Sequence, residues 1–370
     1  MNFAKEDAPG KLPASGASSK PEGKTITMAM IAKAAGVSQG AISSLLNDRD
    51  YGIRVSAKTR ERVFRVCREM GYVPNDLRAV VRMYPEQGEI ALLLADNVGL
   101  QDPFADRIFK ALAAEAEGHH VSVAYYSPTA DYNANPDSLP APVRIGVASK
   151  FITFGAPNQS LLSAITSREF PAVHLGHDVP LPGVTSIVPK YAEASRQAIE
   201  YLFKLGHKQI AILSGPFGST EPSIIELNFG VRAGYDAIKT PIEAQNVIYG
   251  DATFEHGATS IDLLLERERP RKPTAVFCFT DLVAAGVLHR AQSKGLNIPG
   301  DLSVMGCGDA IFSPWLHPAL TTVAISAEEM TKQALQELSR RIHEEDLSTT
   351  RQISIGSQVI ERESCGPVKG

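Results

Sequence analysis

The 370-residue sequence predicts a small all-α head joined to an α/β body of two parallel-sheet units. Three observations predict it. Between Thr27 and Asn47, two short apolar stripes at helical spacing flank Gly36-Val37. From Gly88 onward, strand-length apolar runs alternate with amphipathic helices, the pattern of a parallel sheet covered on both faces. Charge also divides the chain: the stretch from Lys24 to Tyr84 holds 11 Lys/Arg against 5 Asp/Glu, although the whole chain carries −4. A basic head on an acidic body fits a nucleic-acid-binding module joined to a soluble sensing domain.

Composition narrows the classes further. Residues 1–24 are rich in Pro, Gly, Ser and Lys with no apolar block, so we expect a disordered extension rather than a secretory leader. No apolar run reaches the ~18–20 residues that a membrane span requires. Cys67, Cys278, Cys307 and Cys365 lie far apart and without metal-ligand spacing. They read as reduced thiols of a cytoplasmic protein that needs no metal or cofactor.

The head follows element by element. Ile31, Ala32 and Ala35 give the first stripe, and Ile42, Leu45 and Leu46 the second. Gly36 permits the bend between them, and Ser38 stands where the second helix needs an N-cap. This is a helix-turn-helix, whose second helix can enter a DNA major groove. Ser56 to Met70 reads as a third helix, with Val63, Phe64, Val66, Cys67 and Met70 on its apolar face and Gly71 as its stop.

The strings AGVS, SLLN and VSAKTRERVFRVCREMGYVPN resemble the head of the lactose-repressor (LacI/GalR) family of bacterial transcription regulators. The resemblance implies that Thr27 and Ser38 touch phosphates at helix starts. It places Gln39, Gly40, Ser43 and Ser44 towards base edges and Asn47 near the backbone. Gln39 can pair with adenine N6/N7. Gly40 has no side chain with which to read a base, and Ser44 replaces the arginine common in the family. The loop DRDYGIR is longer than the family's, so Arg49 and Arg54 are candidates for backbone or groove contacts. Asn75 to Arg82 corresponds to the family's hinge, a short helix that forms on DNA. There the resemblance makes Val81 the apolar wedge in the minor groove, with Asn75 and Arg78 beside it.

In the body, the strand candidates are Ile90–Leu94, Val121–Tyr125, Phe151–Phe154, Ala172–Leu175, Ile210–Leu213, Ala275–Phe279 and Ser303–Met305. Helices are expected at Phe104–Glu117, burying Ile108, Phe109 and Leu112, and at Ala192–Leu205, His256–Glu266 and Leu282–Lys294. Prolines in NANPDSLPAP should shorten or remove a helix there.

The family resemblance continues through LFKLGHKQIAILSGP, PTAVFCFTDLVAAGVL, GLNIPGDLSVMG, HPALTTV and QVIERES. It implies two Rossmann-like subdomains of periplasmic-binding-protein type, three chain crossings, and a small effector at the strand carboxyl ends. The implied domains are 1–24 (extension), 25–73 (head), 74–87 (hinge) and 88–364 (body). The body divides roughly into 88–184 with 318–345, and 185–317 with the C-terminal strand nearby. Carried over residue by residue, the effector contacts are Asp102, Phe104, Thr280, Asp281 and Asp309, with His177 on the same edge beside His174. Departures accompany them: Leu227 falls where a ligand-binding arginine is common, Gly308 replaces an aspartate, and Pro189 replaces a polar residue.

Two rival classes are weaker. SGPFGST is glycine-containing like a phosphate cradle but lacks the P-loop lysine, and no catalytic motif appears, so an enzyme is not expected. A solute-binding protein would not carry the basic head. The reading is therefore a dimeric, sequence-specific transcription regulator, most simply a repressor of a carbohydrate-related operon. Its partners would be palindromic double-stranded operator DNA, a second copy of the chain and a sugar or related metabolite.

Overall fold

A computed structural model describes residues 26–47, 55–72, 74, 80–81, 83, 88–96, 98, 103–116, 120–266, 272–342 and 348–368. The chain divides into two compact units, Met1–Pro74 and Asn75–Gly370.

In the first unit, α1 (Met28–Ala35) and α2 (Gln39–Asn47) are joined by a turn, and α3 (Ala57–Met70) packs on α1. Gly36 adopts φ 63° and Gly71 φ 69°, left-handed values that glycine enters without a Cβ clash. Three caps form, Ser38 as predicted: Thr27, Ser38 and Ser56 each accept an orphan N–H, from Met30, Ala41 and Thr59 respectively. Ile31, Ala35, Ile42, Leu46, Val63, Phe64 and Cys67 make the small core. Val66 and Met70, expected on the same face of α3, are only half-buried.

The second unit holds two six-stranded sheets. The first has the order β11-β5-β4-β3-β1-β2, built from β1 (Glu89–Ala95), β2 (Val121–Tyr126), β3 (Ala148–Phe154), β4 (Ala172–Leu175), β5 (Val184–Pro189) and β11 (Arg351–Ile355). The second has the order β12-β10-β9-β8-β6-β7. Its strands are β6 (Ile210–Ser214), β7 (Val247–Tyr249), β8 (Ala275–Cys278), β9 (Ser303–Gly308), β10 (Thr321–Ile325) and β12 (Ser357–Ile360). Every pairing is parallel except β10 with β12.

The period of two explains why both faces are buried. Along β1, Leu92 and Leu94 join one apolar cluster while Ala91 and Leu93 join another. Along β6, Ile210 and Ile212 belong to that same first cluster and Ala211 and Leu213 to a third. One core therefore runs continuously from sheet to sheet.

The chain passes between the sheets three times, as expected: after β5, after β10 and after β11. The expected internal boundaries shift. β5, placed at the start of the second subdomain, lies wholly in the first sheet, and β10, placed with the first, pairs in the second. The two terminal strands are shared, one to each sheet. Short all-buried runs such as VTSIVP carry no mark of the sheet they join.

Helices cover the sheets: α4 (Pro103–Glu115), α5 (Ala141–Ile145), α6 (Gln159–Thr166), α7 (Tyr191–Lys204), α8 (Pro222–Ala237), α9 (Phe254–Leu265), α10 (Asp281–Ser293) and α11 (Ala327–Ile342). As its prolines dictate, the NANPDSLPAP region keeps one 3-10 turn and the five-residue α5. Phe109, expected in the core, is 42% exposed because α4 buries Ile108 and Leu112 instead. α7 and α8 meet closely at Gly230 and Gly234. A Cβ at Gly230 would lie 2.0 Å from the Ala192 carbonyl oxygen.

Candidate functional site

Two places gather the predicted residues. On the head, the apolar stripes of α1 and α2 turn inward, which leaves the start of α2 outward. Thr27, Ser38 and Gln39 are exposed; Gly40, Ser43 and Ser44 are half-exposed. A hydroxyl that accepts a capping bond still has its own hydrogen to donate, so Thr27 and Ser38 can cap and contact a phosphate together. The backbone N–H groups at the start of α2 and its dipole add a favourable end for an anion. Asn47 closes α2, but its side chain lies outside the described residues, as do Arg49, Arg54, Asn75 and Arg78.

The second place is the cleft at the carboxyl ends of the two sheets. Phe104, in the first turn of α4, lies against Phe154 with ring centroids 5.8 Å apart. One turn on, Arg107 reaches across from α4. Its Nη1 donates to the carbonyl oxygens of Gly308 (2.8 Å) and Asp309 (2.7 Å) at the end of β9. Its Nε and Nη2 donate to Glu328 at the start of α11, at 3.0 and 2.7 Å. Beside this contact is a cavity of about 410 Å³ lined by residues of both subdomains, among them Lys110, Ile311 and Pro314.

On the other side, His177, just after β4, places Nε2 2.9 Å from Glu221 Oε1, just before α8. The hydrogen bond from His177 is the largest influence holding the Glu221 carboxyl below its usual range, with burial opposing it. Behind His177, the fully buried His174 ring stands 6.0 Å away and bonds Thr153 through Nδ1 at 2.8 Å. Burial, and secondarily His177, lower its pKa to about 3.

Asp309 sits at φ 56° and pairs with Arg362 at 2.6 Å. Thr280 caps α10, accepting the Val283 N–H at 3.3 Å. Asp281 is buried and fully engaged: Oδ2 accepts from the Ala310 N–H (2.5 Å) and Ser313 (2.9 Å), and Oδ1 from Thr322 (2.6 Å). Burial raises its pKa, against the opposing hydrogen bonds. Among the described residues no group of His, Cys, Asp and Glu is arranged to hold a metal ion.

Comparison with known proteins agrees with both places. Residues 27–75 match the model of the bacterial regulatory proteins of the lacI family, and residues 199–365 match the periplasmic binding protein-like domain. The HTH-type transcriptional regulator DegA of Bacillus subtilis (strain 168) is 29% identical over 305 residues, covering 81% of this chain and 86% of DegA. The HTH-type transcriptional repressor CytR of Escherichia coli (strain K12) is 27% identical over 313 residues, covering 84% and 87%. The solved complex of the transcriptional regulator CelR with cellobiose superposes with a TM-score of 0.62 at 25% identity, covering 92% of this chain and 99% of CelR.

The chain carries a lacI-family DNA-binding domain followed by a periplasmic binding protein-like domain. It is a DNA-binding transcriptional regulator whose body has the periplasmic-binding-protein fold. No helix among its described residues is long and apolar enough to cross a membrane.

Two expected roles need correction. Asp281 is buried and accepts from three donors inside the second subdomain, so it braces the loop after β9 rather than facing an effector. Val81 is 7% exposed and stands beside Gly88, where an added Cβ would come within 3.2 Å of it. A groove wedge must be open to solvent, and here Val81 is a packing residue. Asp102 lies outside the described residues. Phe104, His177, Thr280 and Asp309 do gather at the strand ends. Arg107, Glu221 and Arg362 were missed. Arg107 had a readable signal: it lies at i+3 from Phe104, on the same side of its helix.

Proposed function

We propose that this regulator is a dimeric repressor of a carbohydrate-related operon, acting in the cytoplasm on a palindromic operator. One head reads half of a palindrome, so two are needed for the full site. The carrying observation is the outward, hydroxyl-rich start of α2, with Thr27, Ser38 and Gln39 exposed while every apolar residue of the two stripes is buried. Thr27 and Ser38 hold phosphates, Gln39 reads a base, and Ser43, Ser44 and Asn47 complete the face. Arg49, Arg54, Asn75 and Arg78 supply backbone and minor-groove contacts.

The cleft is the control element. Phe104, His177, Thr280 and Asp309 border the ligand position, and the structural neighbour CelR was solved with cellobiose. In this chain the apolar Leu227, Phe104, Phe154 and Phe279 belong to or pack on the core that crosses the cleft. The partly buried rings of Phe104 and Phe154 suit a ligand that carries an apolar face beside its polar groups, since each unpaired hydroxyl loses its water on entry.

The test is selection of bound fragments from random duplex DNA, followed by titration at rising salt. A palindromic consensus and a slope of about −0.9 per phosphate contact in log K against log salt are expected. Absence of a complex with any duplex at low ionic strength refutes the proposal. Sedimentation of the complex should give two chains per duplex.

A further inference from the structure

We propose that the body closes its own cleft through two built-in latches, Arg107 on the Gly308 and Asp309 carbonyls and His177 on the Glu221 carboxylate, and that protons control the second. The inference rests on the reading of the body as the control element and adds an input besides a bound metabolite.

The two contacts lie on different strand ends but share one design. Each takes a nitrogen donor from the first subdomain and an oxygen acceptor from the second. Arg107 is charged at every accessible pH, and its side chain is 12% exposed, so this latch is permanent. Its hold on Glu328 fixes the guanidinium before it crosses.

His177 differs. As an imidazolium it gives a charge-assisted bond to Glu221. As a neutral ring it gives a weaker bond from one tautomer and none from the other. The groups that bear on it are few. His174 lies behind it on β4. Glu221 and Glu226 face it from the start of α8, and exposed Asp178 follows it in the chain. His174 is held neutral by burial, while Glu226 has its pKa raised by burial and lowered in part by His177. The second subdomain thus presents two carboxylates to a single imidazole of the first. Loss of that proton removes the attraction and leaves the carboxylates uncompensated, so alkaline conditions open this side.

The experiment places spin labels on the full chain at exposed sites of opposite subdomains, Asp137→Cys and Glu255→Cys, with neither DNA nor metabolite present. The chain without added cysteines is the labelling reference. Interlabel distances are measured at about pH 5.5 and about pH 8.5, either side of the ordinary histidine range. The closed-to-open ratio should fall about tenfold on going to alkaline pH, the low end for a charge-assisted bond whose carboxylate is partly exposed. His177→Gln, which donates at every pH, should abolish the response. Arg107→Gln should lengthen the distances at both pH values and keep the response. If His177→Gln misfolds by circular dichroism, Glu221→Gln serves the same purpose, because it removes the charge from the other side. Distances insensitive to pH, or an equal pH response without His177 or without the Glu221 charge, overturn the latch. Because no DNA is present, failure of the operator reading leaves these distances unchanged, and failure of the latch leaves operator selection intact.

Discussion

Acidification should unfold this protein through His174 before its carboxylates are all titrated. The ring is fully buried, bonded to Thr153 on one side, and its Nε2 has no hydrogen-bond partner among the described residues. Protonation would create a second N–H with nothing to receive it, in a site that desolvates the charge. Its folded pKa is about 3, against 6.5 for the free group. A depressed folded value means that the folded state holds the neutral ring. The stability it confers is complete above about pH 6.5 and is lost as pH falls towards 3. At 1.36 kcal/mol per pH unit, about 3 kcal/mol disappears by about pH 4.5, with a ceiling of about 5 kcal/mol near pH 3. The assay is urea unfolding of the body at about pH 7 and about pH 4.5, for the natural chain and for His174→Gln. The glutamine can bond Thr153 but cannot titrate. The natural chain should lose about 3 kcal/mol more than the variant between the two pH values. An equal loss in both would show that His174 does not carry the acid sensitivity.

Three further outcomes are expected. Gln39→Ala should relax operator preference at one base position by about 1–3 kcal/mol, read by competition with single-base variants; a uniform loss on all sequences would reduce Gln39 to a positioning role. Gly306→Ala should destabilise the body by at least about 1–3 kcal/mol in a denaturant titration, because the new Cβ would lie 2.0 Å from Asp281 Oδ1 and displace the carboxylate that ties Ala310, Ser313 and Thr322 together. Ile42→Ala should cost the head about 2–5 kcal/mol and abolish operator binding while leaving the body's melting transition in place, since Ile42 is fully buried in a separate compact unit.

Much of the fold was legible because its signals are local. The cap at Ser38 and the left-handed glycines at 36 and 71 are chemical choices confined to a few residues, and all of them form. Strands such as Ala172–Leu175 stand out by apolar run length. The elements that were not foreseen lack such marks. Strand β11, RQISI, alternates polar and apolar residues at the sheet edge, and α8 hides a glycine-containing face suited to close contact with α7. Sheet membership was also unreadable, because a crossing is decided by packing and not by the strand's own residues. At the cleft, sequence position identified Phe104, His177 and Asp309, but it gave no measure of what each side chain was already holding.

That last distinction decides how the cleft works. A residue contributes to a ligand only what its neighbours leave over. Asp281 leaves little, since it is buried and already accepts from three donors within its own subdomain. Asp309 spends one oxygen on Arg362 and its carbonyl on Arg107, while His177 gives Nε2 to Glu221. An effector that bonded these groups would have to displace protein partners already at 2.6–2.9 Å. Exchanging one good hydrogen bond for another yields little net free energy. The surplus for binding must then come from apolar contact along Phe104 and Phe154, or from relief of the two carboxylates that face His177. A ligand with a flat apolar face and a cationic or donor-rich edge satisfies both conditions. Arg107 and His177 are already turned across the cleft to join the two subdomains, so a ligand there competes with the protein's own charges.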